Sequence, residues 1–253
     1  MQHAIELSPA SVLADNAGVM DASYARQRIV SAALKFRLCD RAHIVSRAWK
    51  RFGIGASPHV LDLGAAEGRT LIEIARQIGH GEYTGIELDP GLLAAAKLLP
   101  NGMRLIQGNV CELPAMLEDE TFELASLLAV LEHLPNPALA LQEARRMLRP
   151  GGLLVATCPN PFWDGIAGRL GLVRGDHHLQ QLDLASLSNV IARAGFEVLE
   201  ARRFMWAPVA SLPYLRLPMN IHLAAAIDSL VHCVPLLNQL CVNAYVVARK
   251  PRI

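Results

Sequence analysis

Glu87 closes a short apolar run, Tyr83-Thr84-Gly85-Ile86-Glu87-Leu88, about twenty residues after a small-residue turn, Gly64-Ala65-Ala66-Glu67-Gly68. A carboxylate at a strand end, at that distance from such a turn, can accept both hydroxyls of a ribose lying across the strand ends. The turn itself excludes bulky side chains, so its backbone can pass within contact distance of a ligand. For moving a proton the chain offers His133, in Leu131-Glu132-His133-Leu134, and the adjacent pair His177 and His178, because a histidine titrates near neutrality. Each of the three also reads as a capping or packing histidine. His177 and His178 with Asp176 or Asp183 lack the spacing of a convincing metal site, and no metal is expected.

The elements that must hold these residues alternate along the chain. Val60-Leu61-Asp62-Leu63 suits a buried parallel strand, and Leu71, Ile74, Ala75 and Ile78 recur at helical spacing over Thr70 to Ile78, placing a helix N-terminus at the turn. Tyr83 to Leu88 is the second strand, with Asp89-Pro90 as cap and first turn of a helix holding Leu92 to Leu98. Strands three and four are Met103 to Gln107 and Phe122 to Leu128. A helix from Asn136-Pro137 runs through Leu148, is stopped by Arg149-Pro150-Gly151-Gly152, and is followed by a fifth strand, Leu153 to Thr157. Leu184 to Ala194 is a helix, Phe196 to Phe204 the sixth strand and Asn243 to Lys250 the seventh. Such alternation predicts an α/β fold, a parallel sheet with helices on both faces and right-handed crossovers.

Val60 to Gly68 resembles the first motif of class I S-adenosylmethionine-dependent methyltransferases, an acidic residue followed by GxGxG, with Ala66 in place of the middle glycine. Alanine is tolerated there if the backbone stays at negative φ. The dinucleotide pattern GxGxxG fits worse, because Arg69 stands where it needs glycine or alanine. Three further segments match the family in order and spacing: the run from Leu127 to Glu132-His133, then Arg149-Pro150-Gly151-Gly152, then Cys158-Pro159-Asn160-Pro161. The resemblance implies a Rossmann-like seven-stranded sheet whose last strand is antiparallel and inserted between the fifth and sixth. It implies S-adenosyl-L-methionine as cofactor, held by Asp62, Gly64, Ala65, Ala66, Gly68, Glu87, Leu88, Asn109, Val110, Leu128 and Ala129. In it Asp62 faces the methionine ammonium and Glu87 the ribose. Asn109 stands where the family has an aspartate for the adenine amino group; its amide oxygen can accept the same bond, and asparagine is equally an ordinary turn residue. His133 is placed near the transferred methyl. The expected activity is methyl transfer, at oxygen, to a small-molecule, quinone-type, lipophilic or glycan- or lipid-linked acceptor. The alternative is a protein that binds S-adenosylmethionine without catalysis and acts as a partner of another enzyme. The Asn-Pro-Pro-Tyr motif of amino-methylating DNA enzymes is replaced by Leu127-Leu128-Ala129.

Composition sets the outer bounds. With 52% hydrophobic and 19% charged residues and a net charge of +1, the sequence describes a well-packed globular chain without the basic excess of a nucleic-acid binder. Its five cysteines are scattered and read as small buried residues of a reducing compartment. No leader pattern opens the chain and no apolar run reaches a membrane span of about 18 residues, so a cytoplasmic location is expected. Residues 1–55 read as an N-terminal helical cap, helical from Tyr24 to Phe52. Residues 56–204 with 242–253 read as the cofactor-binding core, and 205–241 as an apolar helical insertion. Within the insertion His222, Asp228, Ser229 and His232 fall in an arc of roughly 120° on a helix. One reading is a cap on the core with a single wet stripe; the other is an element that meets a lipophilic acceptor at a membrane surface. The absence of a Lys/Arg-rich face weighs against strong binding to anionic membranes.

Overall fold

The computed structural model describes residues 22–96, 99–163, 165 and 179–252. Among the described residues two helices, α1 (Ala22–Val30) and α2 (Ala32–Phe52), precede the strand at His59–Leu63. The helical stretch expected from Tyr24 to Phe52 is divided at Ser31, whose backbone is extended and whose hydroxyl accepts the N–H of Leu34 at 3.3 Å, capping α2. The remaining elements are β1 (His59–Leu63), α3 (Arg69–Ile78), β2 (Glu82–Glu87), α4 (Pro90–Ala94), β3 (Met103–Gln107) and β4 (Phe122–Leu128), then α5 (Pro137–Met147), β5 (Leu148–Pro159), α6 (Leu184–Arg193) and β6 (Glu197–Trp206). The insertion supplies α7 (Ala207–Ser211), α8 (Ile221–His232) and α9 (Pro235–Asn238), and β7 (Cys241–Arg249) ends the fold.

The seven strands form one sheet in the order β3-β2-β1-β4-β5-β7-β6. β7 runs antiparallel to both neighbours, pairing Ala248 with Leu154 of β5 and Val246 with Ala201 of β6, while the β1–β2, β1–β4, β2–β3 and β4–β5 pairs are parallel. The reversed last strand therefore stands where the resemblance implied. On one face, Leu141, Ala144 and Met147 of α5 with Leu187 and Ile191 of α6 pack on Leu61, Leu127 and Leu154. On the other, Ile44, Val45, Ala48 and Trp49 of α2 share a core with Leu71 of α3, Val60, Val155 and Tyr245. Both faces are thus sealed by helix side chains at the centre of the sheet, which is why β4 and the Leu153 to Cys158 part of β5 are largely apolar rather than alternating, while β6 at the edge carries Glu197, Glu200, Arg202 and Arg203.

β5, β6 and β7 each run about two residues past an expected bound, to Pro159, to Trp206 and back to Cys241, and two boundaries differ by more. The helix expected over Leu92 to Leu98 ends at Ala94, and residues 97 and 98 lie outside the described residues. β5 begins at Leu148, directly after α5, instead of at Leu153. Leu148 pairs with Phe122, and the register then slips so that Leu153 faces Leu124, with Gly151 at φ 83° absorbing the bulge. Arg149 to Gly152 is thus a strand irregularity as well as a helix stop.

From β1 the chain steps outward to β2 and β3, and then returns to place β4 on the other side of β1. The reversal opens a crevice beyond the C-terminal ends of β1 and β4. The insertion adjoins this edge of the sheet: the side-chain amide of Asn160 donates to the C=O of Cys241 at 2.9 Å, and the indole N–H of Trp163 donates to the C=O of Leu240 at 3.2 Å. Its polar arc does not form one wet stripe. Asp228 turns inward and accepts the N–H groups of Met205 at 2.7 Å and Trp206 at 2.9 Å, and with His232 it lines a small chamber against Asp40 of α2. His222 and Ser229 remain exposed. Among the described residues no helix is long and apolar enough to cross a membrane.

Candidate cofactor and active site

The turn after β1 is built by the backbone. The C=O of Ile86 accepts the N–H groups of both Gly64 and Ala65 at 2.9 Å, which folds the chain back against the end of β2. Gly64 has φ 81°, and a Cβ on it would stand 2.5 Å from Cγ2 of Val130, so only glycine lets β1 and the segment after β4 approach so closely. Gly68, at φ 79°, begins α3. Ala66 departs from expectation: its φ is 50°, in the left-handed region, not negative. That conformation costs an alanine about 1–2 kcal/mol. Its N–H donates to Oε2 of Glu87 at 2.8 Å, and its methyl packs with Ala25 of α1 and Leu92 of α4.

Glu87 is buried at the end of β2, and its carboxylate organises the surrounding backbone. Oε1 accepts the N–H groups of Leu88 at 2.8 Å and Asp89 at 2.9 Å, while Oε2 accepts that of Ala66. Burial pushes its pKa up, and the three N–H donors pull it back toward the ionised form. A carboxylate offers about four acceptor positions, so three donors leave about one, on Oε2, for a ligand hydroxyl. Asp62 lies deeper, within β1, where it accepts the hydroxyl of Ser126 of β4 at 2.6 Å. Burial lifts its pKa to about 6 against the pull of Ser126 and of Arg28, with the charge of Glu87 adding to the rise.

A third buried carboxylate, Glu67, is paired with Nη1 of Arg28 at 3.2 Å and with Nε of Arg69 at 3.5 Å. Arg28 is itself buried and also donates to the hydroxyl of Thr70. α1 is thereby clamped over the turn. Sequence reasoning missed Arg28, since nothing distinguishes one arginine of an amphipathic helix from another. It also missed Ser126, though a hydroxyl inside the apolar run Phe122 to Leu128 was a readable signal.

The remaining expected residues lie in the segments that follow β3 and β4. Ala129 follows β4 at φ 59°, its N–H donating to the C=O of Thr157 at 2.9 Å, and the next residue, Val130, packs against Gly64. Val110 is buried beyond β3. The amide oxygen of Asn109 accepts the N–H of Cys111 at 2.9 Å, an Asx turn, which leaves one lone pair and the NH2 group for a ligand. His133 sits in a single 3-10 turn, Leu131–His133, with its ring nearly buried and Nε2 4.0 Å from Oε1 of Glu132. Glu132 is fully buried: its other oxygen accepts Sγ–H of Cys158 at 3.5 Å, and its C=O accepts the N–H groups of Leu179 and Gln180. Burial and the Glu132 charge hold the Cys158 thiol well above its usual pKa. His177 and His178 lie outside the described residues. Among the described residues no three His, Cys, Asp or Glu side chains are grouped to hold a metal ion.

S-adenosylmethionine can be tested against this donor set. A cationic amino-acid sulfonium with a ribose calls for buried negative charge at one end, a strand-end acceptor at the other and a backbone that admits close approach. Asp62, Glu87 and the Gly64 to Gly68 turn answer those demands, and the residues fit the group.

The fold is that of solved methyltransferase structures, and the arrangement of the site resembles that of class I S-adenosylmethionine-dependent methyltransferases. Residues 61–156 match the family described as "Methyltransferase domain". Among curated proteins the chain is similar to demethylmenaquinone methyltransferase of Staphylococcus aureus, at 31% identity over 113 residues, 43% of this chain and 46% of that protein. The chain thus spans less than half the length of that relative. Among solved structures it superposes on a chain from the complex of the Haloferax volcanii Trm112 methyltransferase activator, with TM-score 0.66 and 16% identity over 91% of this chain and 96% of the other. It also superposes on phosphoethanolamine N-methyltransferase 2 of Haemonchus contortus in complex with S-adenosyl-L-methionine, with TM-score 0.58 and 16% identity over 83% of this chain and 52% of the other.

Proposed function

We propose that this chain transfers the methyl group of S-adenosylmethionine to an oxygen of a small lipophilic, quinone-type or glycan- or lipid-linked acceptor in the cytoplasm. The observation that carries the reading is the pair of buried carboxylates, Asp62 and Glu87, at the C-terminal ends of adjacent strands on either side of the glycine turn. Glu87 and the backbone of Ala66 and Leu88 hold the ribose end, Asn109 and Val110 border the adenine, and Asp62 faces the amino-acid end. When bound, the cofactor supplies a methyl already activated on a sulfonium.

What remains for the protein is positioning, exclusion of water and a route for the acceptor's proton. His133 is the described histidine closest to that task. Its Nε2 stands 4.0 Å from Oε1 of Glu132, and an imidazole is a group suited to take up a proton from a hydroxyl. A quinone-type acceptor is supported by the similarity to a demethylmenaquinone methyltransferase, and a lipophilic one by the apolar insertion at the same edge of the sheet. Incubation with methyl-labelled S-adenosylmethionine and a panel of phenolic, quinol and polyprenyl acceptors tests the reading. Label is expected in an alkali-stable methyl ether; cofactor binding with no label in any acceptor would favour the non-catalytic binding protein.

A further inference from the structure

The apolar side of the insertion faces outward. Leu223 and Leu230, two turns apart on α8, are 54% and 72% exposed; Leu215 before α8 and Leu236 on α9 are 67% and 73% exposed. These are large fractions for leucine, and they are concentrated in one short stretch of chain, whereas scattered single exposures are ordinary.

Charge decides what can cover this face. From Ala207 to Leu240 the sequence holds two formal charges, Arg216 and Asp228. Asp228 is turned into the protein, bonded to the backbone of Met205 and Trp206, so the exposed side carries no carboxylate. Arg216 is exposed, and α2 brings a second cation alongside, with the guanidinium of Arg37 5.7 Å from the ring centroid of exposed Tyr214. An apolar face whose described residues between 207 and 240 turn a cation, Arg216, and no carboxylate outward, with half-buried Arg37 beside it, complements a bilayer of apolar chains beneath phosphate headgroups. A second copy of the same face would bring like charges together, since the described residues from 207 to 240 turn no acid outward to answer them.

We propose that α8, α9 and the segment before α8 form a docking surface for a lipid bilayer bearing anionic headgroups, with Leu215, Leu223, Leu230 and Leu236 entering the acyl boundary and Arg216 and Arg37 meeting phosphates. The surface spans nothing; it rests on the membrane. It adjoins the edge of the sheet where the cofactor crevice opens, through Asn160 and Trp163. Docking stands apart from the methyl-transfer reading, because it requires neither cofactor nor acceptor.

The test is flotation of the full chain with vesicles of phosphatidylcholine alone and of phosphatidylcholine with 30% phosphatidylglycerol, a vesicle composition on the order used to mimic anionic leaflets. The wild-type chain is expected to float with the mixed vesicles and several-fold less with the neutral ones. Leu223→Asp/Leu230→Asp, and separately Leu215→Asp/Leu236→Asp, are expected to cut the floated fraction at least about ten-fold with far-ultraviolet circular dichroism and S-adenosylmethionine affinity unchanged. Using two variants on different elements keeps the test valid if one fails to fold. No flotation of the wild-type chain, or flotation of both variants at the wild-type level, overturns the proposal. So does a wild-type dimer in solution that Leu223→Asp/Leu230→Asp converts to monomer, since a second copy would then cover the face.

Discussion

The N–H of Ala66 and the carboxylate of Glu87 are joined at 2.8 Å, tying the left-handed turn after β1 to the acidic end of β2. One bond thus fixes the shape of the cofactor turn and one oxygen of the residue expected to read the ribose. It also explains how an alanine is held at φ 50°: the acceptor is buried, so letting the turn relax would leave a carboxylate short of a donor.

Replacing Ala66 by glycine removes the left-handed penalty without touching that bond. Ala66→Gly is expected to stabilise the fold by about 1 kcal/mol, the strain relieved exceeding the added freedom of the unfolded chain. Thermal unfolding would register this as a rise of roughly 2–4 °C. A lower melting temperature would mean that the Ala66 methyl contact with Ala25 and Leu92 outweighs the strain.

Asp40 offers a test of the chamber beneath α8. It is buried between α2, α8 and β6, its Oδ2 has no hydrogen-bond partner among the described residues, and Asp228 faces it. Burial, with the charge of Asp228 adding, pushes its pKa to about 7 from an ordinary 3.8, against the pull of Arg41 and Arg47. The folded state therefore prefers the neutral acid: the stability this group contributes is complete below pH 4 and is lost as pH rises through 7. Asp40→Asn should match the wild-type chain near pH 4 and exceed it at pH 8 by on the order of 4 kcal/mol. Denaturant titrations at the two pH values check this, and a pH-independent difference would show that Asp40 stays ionised.

His133 separates binding from proton transfer. His133→Ala is expected to lower kcat by about 100-fold, within the range for general-base removal, while leaving S-adenosylmethionine affinity within about two-fold. A His133→Gln variant, which keeps a hydrogen-bonding group without the titration, should be equally slow. Turnover that persists in both variants would move the proton to another group or to solvent.

How far the sequence discloses this molecule depends on what each residue's type encodes. The bounds of β4 are read directly because it is a largely apolar run buried on two faces, and those of β3, where Arg104 is exposed, because Pro100-Asn101-Gly102 and Gly108-Asn109 flank it. The place of β7 comes from family resemblance, since no periodicity states a strand's neighbour. The turn at Gly64 is legible because glycine marks a forbidden Cβ; the sign of φ at Ala66 is not, because alanine carries no such mark. Arg28 reaches Glu67 across 39 residues of chain, a tertiary contact with no local signature. On α8 the polar arc is visible in sequence, yet which side of it meets the protein is not. The helix is apolar almost all round, and only the packing against α2 and β6 turns Asp228 inward.

The most direct measurement of the central claim is calorimetric titration of the chain with S-adenosylmethionine, its demethylated product and NAD, repeated on Glu87→Gln and Glu87→Ala after each variant is shown to fold. Saturable one-to-one binding of S-adenosylmethionine and no binding of NAD are expected. Glu87→Ala should lose on the order of 1–3 kcal/mol of affinity, and Glu87→Gln less, because its amide oxygen keeps an acceptor. Binding of NAD in place of S-adenosylmethionine, or S-adenosylmethionine affinity unchanged in Glu87→Ala, would contradict the account.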